Sequence, residues 1–296
     1  MNVAIFGLGH IGIYHLREFI RMKCKIVGIL VKNKIKEKQL IIQNKYNLDV
    51  AVFTNLDNIF NKDIDIVSIC TPSNTHYYYI SECIKRNINI FCEKPFIINT
   101  TNDILNTRLI LDNIKNNKLK ISVNTQWVYG IDSLINYFNI KPEKYIMISM
   151  SHSNNGIEFY SEMIPHMNSI IIYLFGLHQP KNINVMKNKD KSIIKFKYNQ
   201  INVEYVIKYK EKSGNIISFI FDSYIFSRKI KDNYQQYFCC KDLKNNYILK
   251  EIKIEDPLML SIKSFINNLN GDTSLIKKND IEHNVILLDI LLKHIK

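Results

Sequence analysis

Over the first 124 residues, short apolar runs alternate with segments of helical period. Asn2–Phe6, Lys25–Val31, Val50–Thr54, Ile64–Cys70, Ile88–Cys92 and Leu119–Thr125 are brief, rich in β-branched residues and almost unbroken in apolar character, as expected of strands covered on both faces. Between them, His10–Met22, Ile35–Asn47, Asn74–Asn87 and Thr101–Asn116 space their apolar residues at three and four positions, the helical pattern. This βαβα alternation predicts a parallel, doubly wound sheet with right-handed crossovers.

The pattern then changes. Gly130–Asn139 and Glu162–Phe175 read as helices, and strict alternation of apolar and polar residues takes over in Lys144–His152, Lys181–Lys187, Ser192–Asn199, Ile201–Lys210, Asn215–Phe226 and Asn245–Ile254. Alternation of period two predicts an open, mainly antiparallel sheet with one covered face. Pro257–Asn270 and Ile281–Lys296 close the chain as helices. The expected organisation is a doubly wound α/β domain over residues 1–124 followed by an α+β domain over 125–296.

Composition narrows the possibilities. With 46% hydrophobic residues and only 9 Gly and 6 Pro, the 296-residue chain is globular rather than disordered or fibrous. Its net charge of +13 raises the question of an anionic partner, but only Arg17, Arg21, Arg86, Arg108 and Arg228 among the 40 basic residues are arginine, and the lysines are dispersed. Nucleic-acid readers cluster charge and favour the arginine fork, so no nucleic acid is expected. The six cysteines show no C-x-x-C spacing, and four lie in apolar patterns, which fits a reducing, cytoplasmic setting. The N-terminus opens directly on a strand, without the pattern of a signal peptide, and no apolar run reaches membrane-spanning length. No His, Cys and carboxylate set has metal-ligand spacing.

The candidate chemistry begins at Gly7, Gly9 and Gly12, in G-x-G-x-x-G spacing between a strand and a helix. The first glycine permits a tight turn, the second lets a pyrophosphate approach the backbone, and the third lets helix and strand pack closely. His10 and Ile11 lie within this turn and line the same site. At the tip of the second strand, where an acidic residue usually holds the adenosine ribose, Val31 is followed by Lys32, Asn33 and Lys34. Two ammonium groups in place of a carboxylate suit a 2′-phosphate, so NADP(H) is expected in preference to NAD(H).

The fourth and fifth strands end in Thr71-Pro72-x-x-x-His76 and Glu93-Lys94-Pro95. Together with the glycine turn, in this order and spacing, these motifs resemble the glucose-fructose oxidoreductase, inositol dehydrogenase and rhizopine-catabolism (Gfo/Idh/MocA) family across the whole first domain. The resemblance implies a dinucleotide-binding Rossmann domain over residues 1–124, a substrate-binding and oligomerisation domain over 125–296 that covers the nicotinamide, a Lys94 that reaches the reacting oxygen, and cofactor contacts from Thr71, Pro72, His76, Glu93 and Lys94. It further implies a D-x-x-x-H segment supplying an acid/base histidine; here the histidine is His166, with Glu162 in place of the aspartate and Ser169 where another aspartate is common. Proline is tolerated in the first turn of a helix, so Pro165 places the start of that helix near Ser161 or Glu162.

Asn124, Gln126 and Trp127 resemble the family's crossover into the substrate domain, with Trp127 either bordering the nicotinamide or packing, and Tyr160 is a weaker substrate contact. His152, His178, His283 and His294 read as structural or surface residues. The family implies hydride transfer with a sugar-like small molecule, an anionic or nucleotide sugar being favoured by the positive charge, and a homo-oligomer formed through the C-terminal sheet. Imine or biliverdin-type reduction, or a silent NADP(H)-sensing role, are the alternatives.

Overall fold

In the computed structural model, residues 1–152, 157–209, 217–231 and 235–295 are described. Lys210, Asn215, Ile216 and Lys296, which the sequence pattern assigns to strands and a helix, lie outside them, as does the side chain of His152. The chain divides into two compact units, Met1–Thr125 with Ser261–Val285, and Gln126–Leu260 with Ile286–Lys296.

The first unit runs β1 (Asn2–Phe6), α1 (His10–Arg21), β2 (Lys25–Leu30), α2 (Ile35–Tyr46), β3 (Val52–Phe53), α3 (Leu56–Phe60), β4 (Ile66–Ile69), α4 (His76–Lys85), β5 (Asn89–Cys92), α5 (Asp103–Asn116) and β6 (Ile121–Val123). The strands form a wholly parallel sheet in the order β3-β2-β1-β4-β5-β6, the doubly wound order with its reversal at β1 and β4. Val3, Ala4, Ile5 and Phe6 of β1 and Ile66, Val67 and Ile69 of β4 are fully buried, which explains their unbroken apolar character. The short α3, capped by the Asn55 carboxamide on the N–H groups of Asp57 and Asn58, was not legible in the apolar pattern.

The second unit contains α6 (Trp127–Phe138), β7 (Tyr145–His152), α7 (Ile157–Phe175), β8 (Pro180–Lys187), β9 (Lys191–Tyr198), β10 (Ile201–Tyr209), β11 (Ile217–Phe221), β12 (Tyr224–Lys231), β13 (Gln235–Asp242) and β14 (Tyr247–Ile254). Its eight strands lie in the order β14-β13-β12-β11-β7-β10-β9-β8, antiparallel except for the β7–β10 pair. Burial alternates along β9 and β13, the signature of one covered face. Two helices follow, α8 (Pro257–Leu269) and α9 (Lys278–Ile295). No described helix is long and apolar enough to cross a membrane.

Three sequence expectations change. Asn215–Phe226 is not one strand: Asp222, at φ +51°, turns β11 back into β12, a conformation that Asp tolerates and that the surrounding apolar alternation conceals. The strand β13 was missed. Finally, α7 starts at Ile157 and carries Pro165 in its interior, rather than starting near Ser161 or Glu162. Phe159, Tyr160, Met163 and Ile164 before the proline and Met167, Ile170 and Ile171 after it form one continuous buried stripe. Burying it offsets the backbone hydrogen bond that proline removes.

The Asp222 carboxylate also accepts the N–H groups of Glu143, Lys144 and Tyr145 at 2.8–3.0 Å, tying the β11–β12 turn to the start of β7. Asp222→Ala is expected to lower stability by about 1–3 kcal/mol, through the lost bonds and the strained φ, measured by urea denaturation.

Candidate active site

The glycine turn is built by backbone contact. Gly7 follows β1 at φ +88°, and its N–H donates to the Leu30 carbonyl at 2.8 Å. A Cβ on Gly7 would stand 2.7 Å from the Cys70 carbonyl oxygen, and one on Gly12 would stand 2.0 Å from the Gly7 carbonyl oxygen. Both positions exclude a side chain for reasons internal to the fold. Gly9 is different: a Cβ there would meet nothing within 4 Å, and its φ of −81° is open to any residue.

Gly9 is the N-cap of α1, which has no side-chain cap and no acidic residue in its first turn. The first N–H groups of α1 therefore remain available to an anion from outside the helix. An open approach at Gly9 next to uncapped amides fits the pyrophosphate of a dinucleotide. His10 and Ile11 open this turn, His10 exposed with its ring edge-on to Tyr14 at 4.9 Å. Lys32, Asn33 and Lys34 are exposed beyond the tip of β2; Lys34 adopts φ +61° and lies 3.2 Å from Glu37.

The turns after β4 and β5 are joined through His76. The Nδ1 of His76 lies 2.8 Å from the Pro95 carbonyl oxygen and its Nε2 lies 3.0 Å from that of Thr71. Burial pushes the ring's pKa down, with the two carbonyls opposing in part, so His76 stays neutral. Thr75 donates to the Pro72 carbonyl, fixing the Thr71-Pro72 turn. His76 is thus fully buried between carbonyl oxygens of two of the predicted motifs.

Glu93 points inward. Its Oε1 is 2.9 Å from His15 Nε2 and accepts Asn124 Nδ2 at 2.5 Å, while Oε2 accepts the Lys94 backbone N–H at 3.3 Å. The other ring nitrogen of His15 is 2.9 Å from Ser68 Oγ on β4, which in turn lies 3.6 Å from Cys70 Sγ. His15 is 0% and Glu93 5% exposed. Burial opposes the charge on each, but Cys70 and Glu93 outweigh it at His15, raising the pKa to about 10, and His15, Lys94 and Asn124 outweigh it at Glu93, lowering the pKa to about 2. The two form a buried imidazolium–carboxylate pair. His15 was missed from sequence; the available signal was a polar residue on the same face of α1 as Gly12, Leu16 and Phe19, all buried.

Lys94, half-buried, follows Glu93 and precedes Pro95 across a cis peptide bond. In the second unit, His166 is 6% exposed, and Glu162, half-buried, lies four residues earlier on α7 and hence on the same helical face. Ser169 donates to the Pro165 carbonyl at 2.8 Å. Trp127 is buried under the Arg228 guanidinium, 4.9 Å from its ring, and Tyr160 is buried in a cluster of hydroxyls with Ser192 and Tyr209 at 2.6–2.7 Å. Both residues pack within their own unit. Among the described residues no three His, Cys, Asp or Glu side chains are grouped as a metal ion would require.

Residues 1–124 match the family model described as an oxidoreductase family with an NAD-binding Rossmann fold. That stretch, 124 of the 296 residues, is similar to the Gfo/Idh/MocA oxidoreductases. Myo-inositol 2-dehydrogenase of Thermotoga maritima is 26% identical over 99 residues, 33% of this chain and 29% of that protein. UDP-N-acetylglucosamine 3-dehydrogenase of Acidithiobacillus ferrooxidans is 24% identical over 100 residues, 34% of this chain and 30% of that protein. The chain thus matches under a third of the length of these curated relatives. In fold the likeness extends further: a solved structure of the A. ferrooxidans enzyme superposes with a TM-score of 0.78 at 14% identity, covering 99% of this chain and 97% of that one. An Agrobacterium radiobacter oxidoreductase solved with NAD+, L-tartaric acid and magnesium gives a TM-score of 0.74 at 10% identity, covering 99% and 96%.

The His15–Glu93 pair predicts a pH dependence of stability. The raised His15 value contributes stability in full below its ordinary 6.5 and loses it as pH climbs toward about 10; the lowered Glu93 value contributes in full above its ordinary 4.5 and loses it as pH falls toward about 2. Urea denaturation across pH is expected to show declines on both sides of that window. Glu93→Gln is expected to cost about 3–5 kcal/mol at pH 6, because it leaves a buried imidazolium without its counter-charge, and to flatten the acid decline.

Proposed function

We propose that this chain is an NADP(H)-dependent oxidoreductase that moves hydride between nicotinamide C4 and a carbinol or carbonyl carbon of a sugar-like substrate, a nucleotide sugar being the favoured class. The observation that carries the reading is Gly9, which has no steric reason within the fold to be glycine yet stands open before an uncapped helix. Where Gly7 and Gly12 are explained by packing, Gly9 is explained by a ligand. Lys32 and Lys34 would receive the adenosine 2′-phosphate, and Thr71, Pro72 and His76 would shape the adjoining wall.

Bound nicotinamide supplies the hydride acceptor or donor. Lys94 holds the reacting oxygen and stabilises negative charge developing on it. His166 takes the hydroxyl proton during oxidation and returns it during reduction, oriented by Glu162. The substrate class rests on relatives named for myo-inositol and for UDP-N-acetylglucosamine, both polyhydroxylated, and on the net charge of +13, which attracts anions. Association of copies through the second sheet and a cytoplasmic setting belong to the same reading.

Cofactor titration by intrinsic fluorescence is expected to give tighter binding of NADPH than NADH, with the preference lost in the Lys32→Ala, Lys34→Ala double variant. Gly9→Val is expected to leave the melting temperature nearly unchanged while weakening both. Equal or tighter NADH binding by the wild type would overturn the cofactor choice, and binding of neither would overturn the enzyme reading.

Turnover is tested by deuteride transfer to or from myo-inositol, UDP-N-acetylglucosamine and their oxidised counterparts. His166→Ala is expected to lower kcat by about 10²–10⁴-fold, the usual contribution of a general acid/base. Dinucleotide binding without transfer to any of the panel would favour the sensing role suggested by Glu162 and Ser169.

A further inference from the structure

We propose that His15 is a positioning residue for Lys94, acting through Glu93 to fix the backbone from which the lysine side chain projects. The inference rests on the reading of Lys94 as the reactive lysine; the geometry itself does not. His15 leaves α1 one turn beyond Gly12, on the face turned to the sheet, and ties together two strand ends distant in sequence: Ser68 on β4 at 2.9 Å and Glu93 after β5 at 2.9 Å. Glu93 is left no freedom. One oxygen is held by His15 and Asn124, which sets the plane of the carboxylate, and the other accepts the Lys94 backbone N–H at 3.3 Å. Phe91, with its ring 5.4 Å from the imidazole, closes the site on the sheet side.

The choice of residue type is informative. A buried charge pair costs desolvation energy, and an apolar pair of similar volume would often be as stable. What the polar pair adds is direction, since a carboxylate held by two donors on one oxygen presents its second oxygen in a single orientation. The cost is incurred at the turn that carries Lys94. The helix that begins at the glycine turn therefore also determines where the Lys94 backbone lies.

The test is competitive acylation of the full-length chain with trace acetic anhydride, read lysine by lysine by peptide mass spectrometry, in wild type, His15→Leu, His15→Gln and Asn124→Leu. His15→Leu removes both bonds of the ring and is expected to raise Lys94 labelling about threefold or more, equivalent to ~0.7 kcal/mol of local restraint. Other lysines within residues 1–125 keep their wild-type rates. His15→Gln retains a donor toward Glu93 and is expected to restore most of the wild-type protection. Asn124→Leu removes the second donor to the same oxygen without touching α1, and raises Lys94 labelling alone; it decides the matter if His15→Leu does not fold.

Unchanged Lys94 labelling in the folded variants would overturn the proposal, and so would a rise shared by all lysines of the unit, which would mark His15 as a general support. No cofactor is needed for this experiment. Failure of NADPH and NADH to bind the wild type would therefore overturn the functional reading while leaving the His15 result to stand or fall on its own.

Discussion

The first unit depends on a close packing of backbone against backbone at the glycine turn. Gly12 packs so tightly on Gly7 that a single methyl group would collide with its carbonyl oxygen, and Gly7 in turn lies against Cys70 at the end of β4. This contact sets the position and direction of α1 relative to β1 and β4. The rest follows from it: the open N-terminus of α1 stands beyond the strand ends, and one turn along the helix His15 comes within reach of Ser68 and Glu93. The uncapped start of α1 and the buried pair at the Glu93 turn are thus placed by the same steric constraint.

Much of this was legible in the sequence because it depends on local pattern. Glycines at fixed spacing after a strand, apolar runs of the length of buried strands, and the strand-end motifs at Thr71 and Glu93 all state their structural context within a few residues. The His15 pair was not legible, since its meaning comes from partners 53 and 78 residues away. Glu93 was visible as part of a motif, but its inward direction was not. An acidic side chain at a strand tip can face a ligand or the core, and only the presence of His15 beneath it decides.

In the second unit the failures are of two kinds. Pro165 was read by its local preference for a first turn, yet α7 passes through it because the buried stripe from Phe159 to Ile171 is longer than the proline can interrupt. The turn at Asp222 was hidden by apolar residues on both sides, and β13, with two glutamines and paired cysteines, lacks the β-branched composition that marks a strand. In α7 and β13 tertiary burial outweighed local propensity, whereas at Asp222 a local preference was masked by its neighbours. The roles of His166 and Glu162 rest on resemblance at the level of residue type, and their placement on one face of α7 follows from the helix alone.

His76 carries a consequence of its own. Both of its ring nitrogens face carbonyl oxygens, but a neutral imidazole has one N–H to give. At any instant, then, the ring is bonded to the Thr71 turn or to the Pro95 turn, and not to both. The same heavy-atom arrangement holds two tautomeric substates, distinguished only by the address of one proton. The two strand ends are coupled through a choice, and whichever carbonyl is drawn away by its surroundings leaves the other more firmly held.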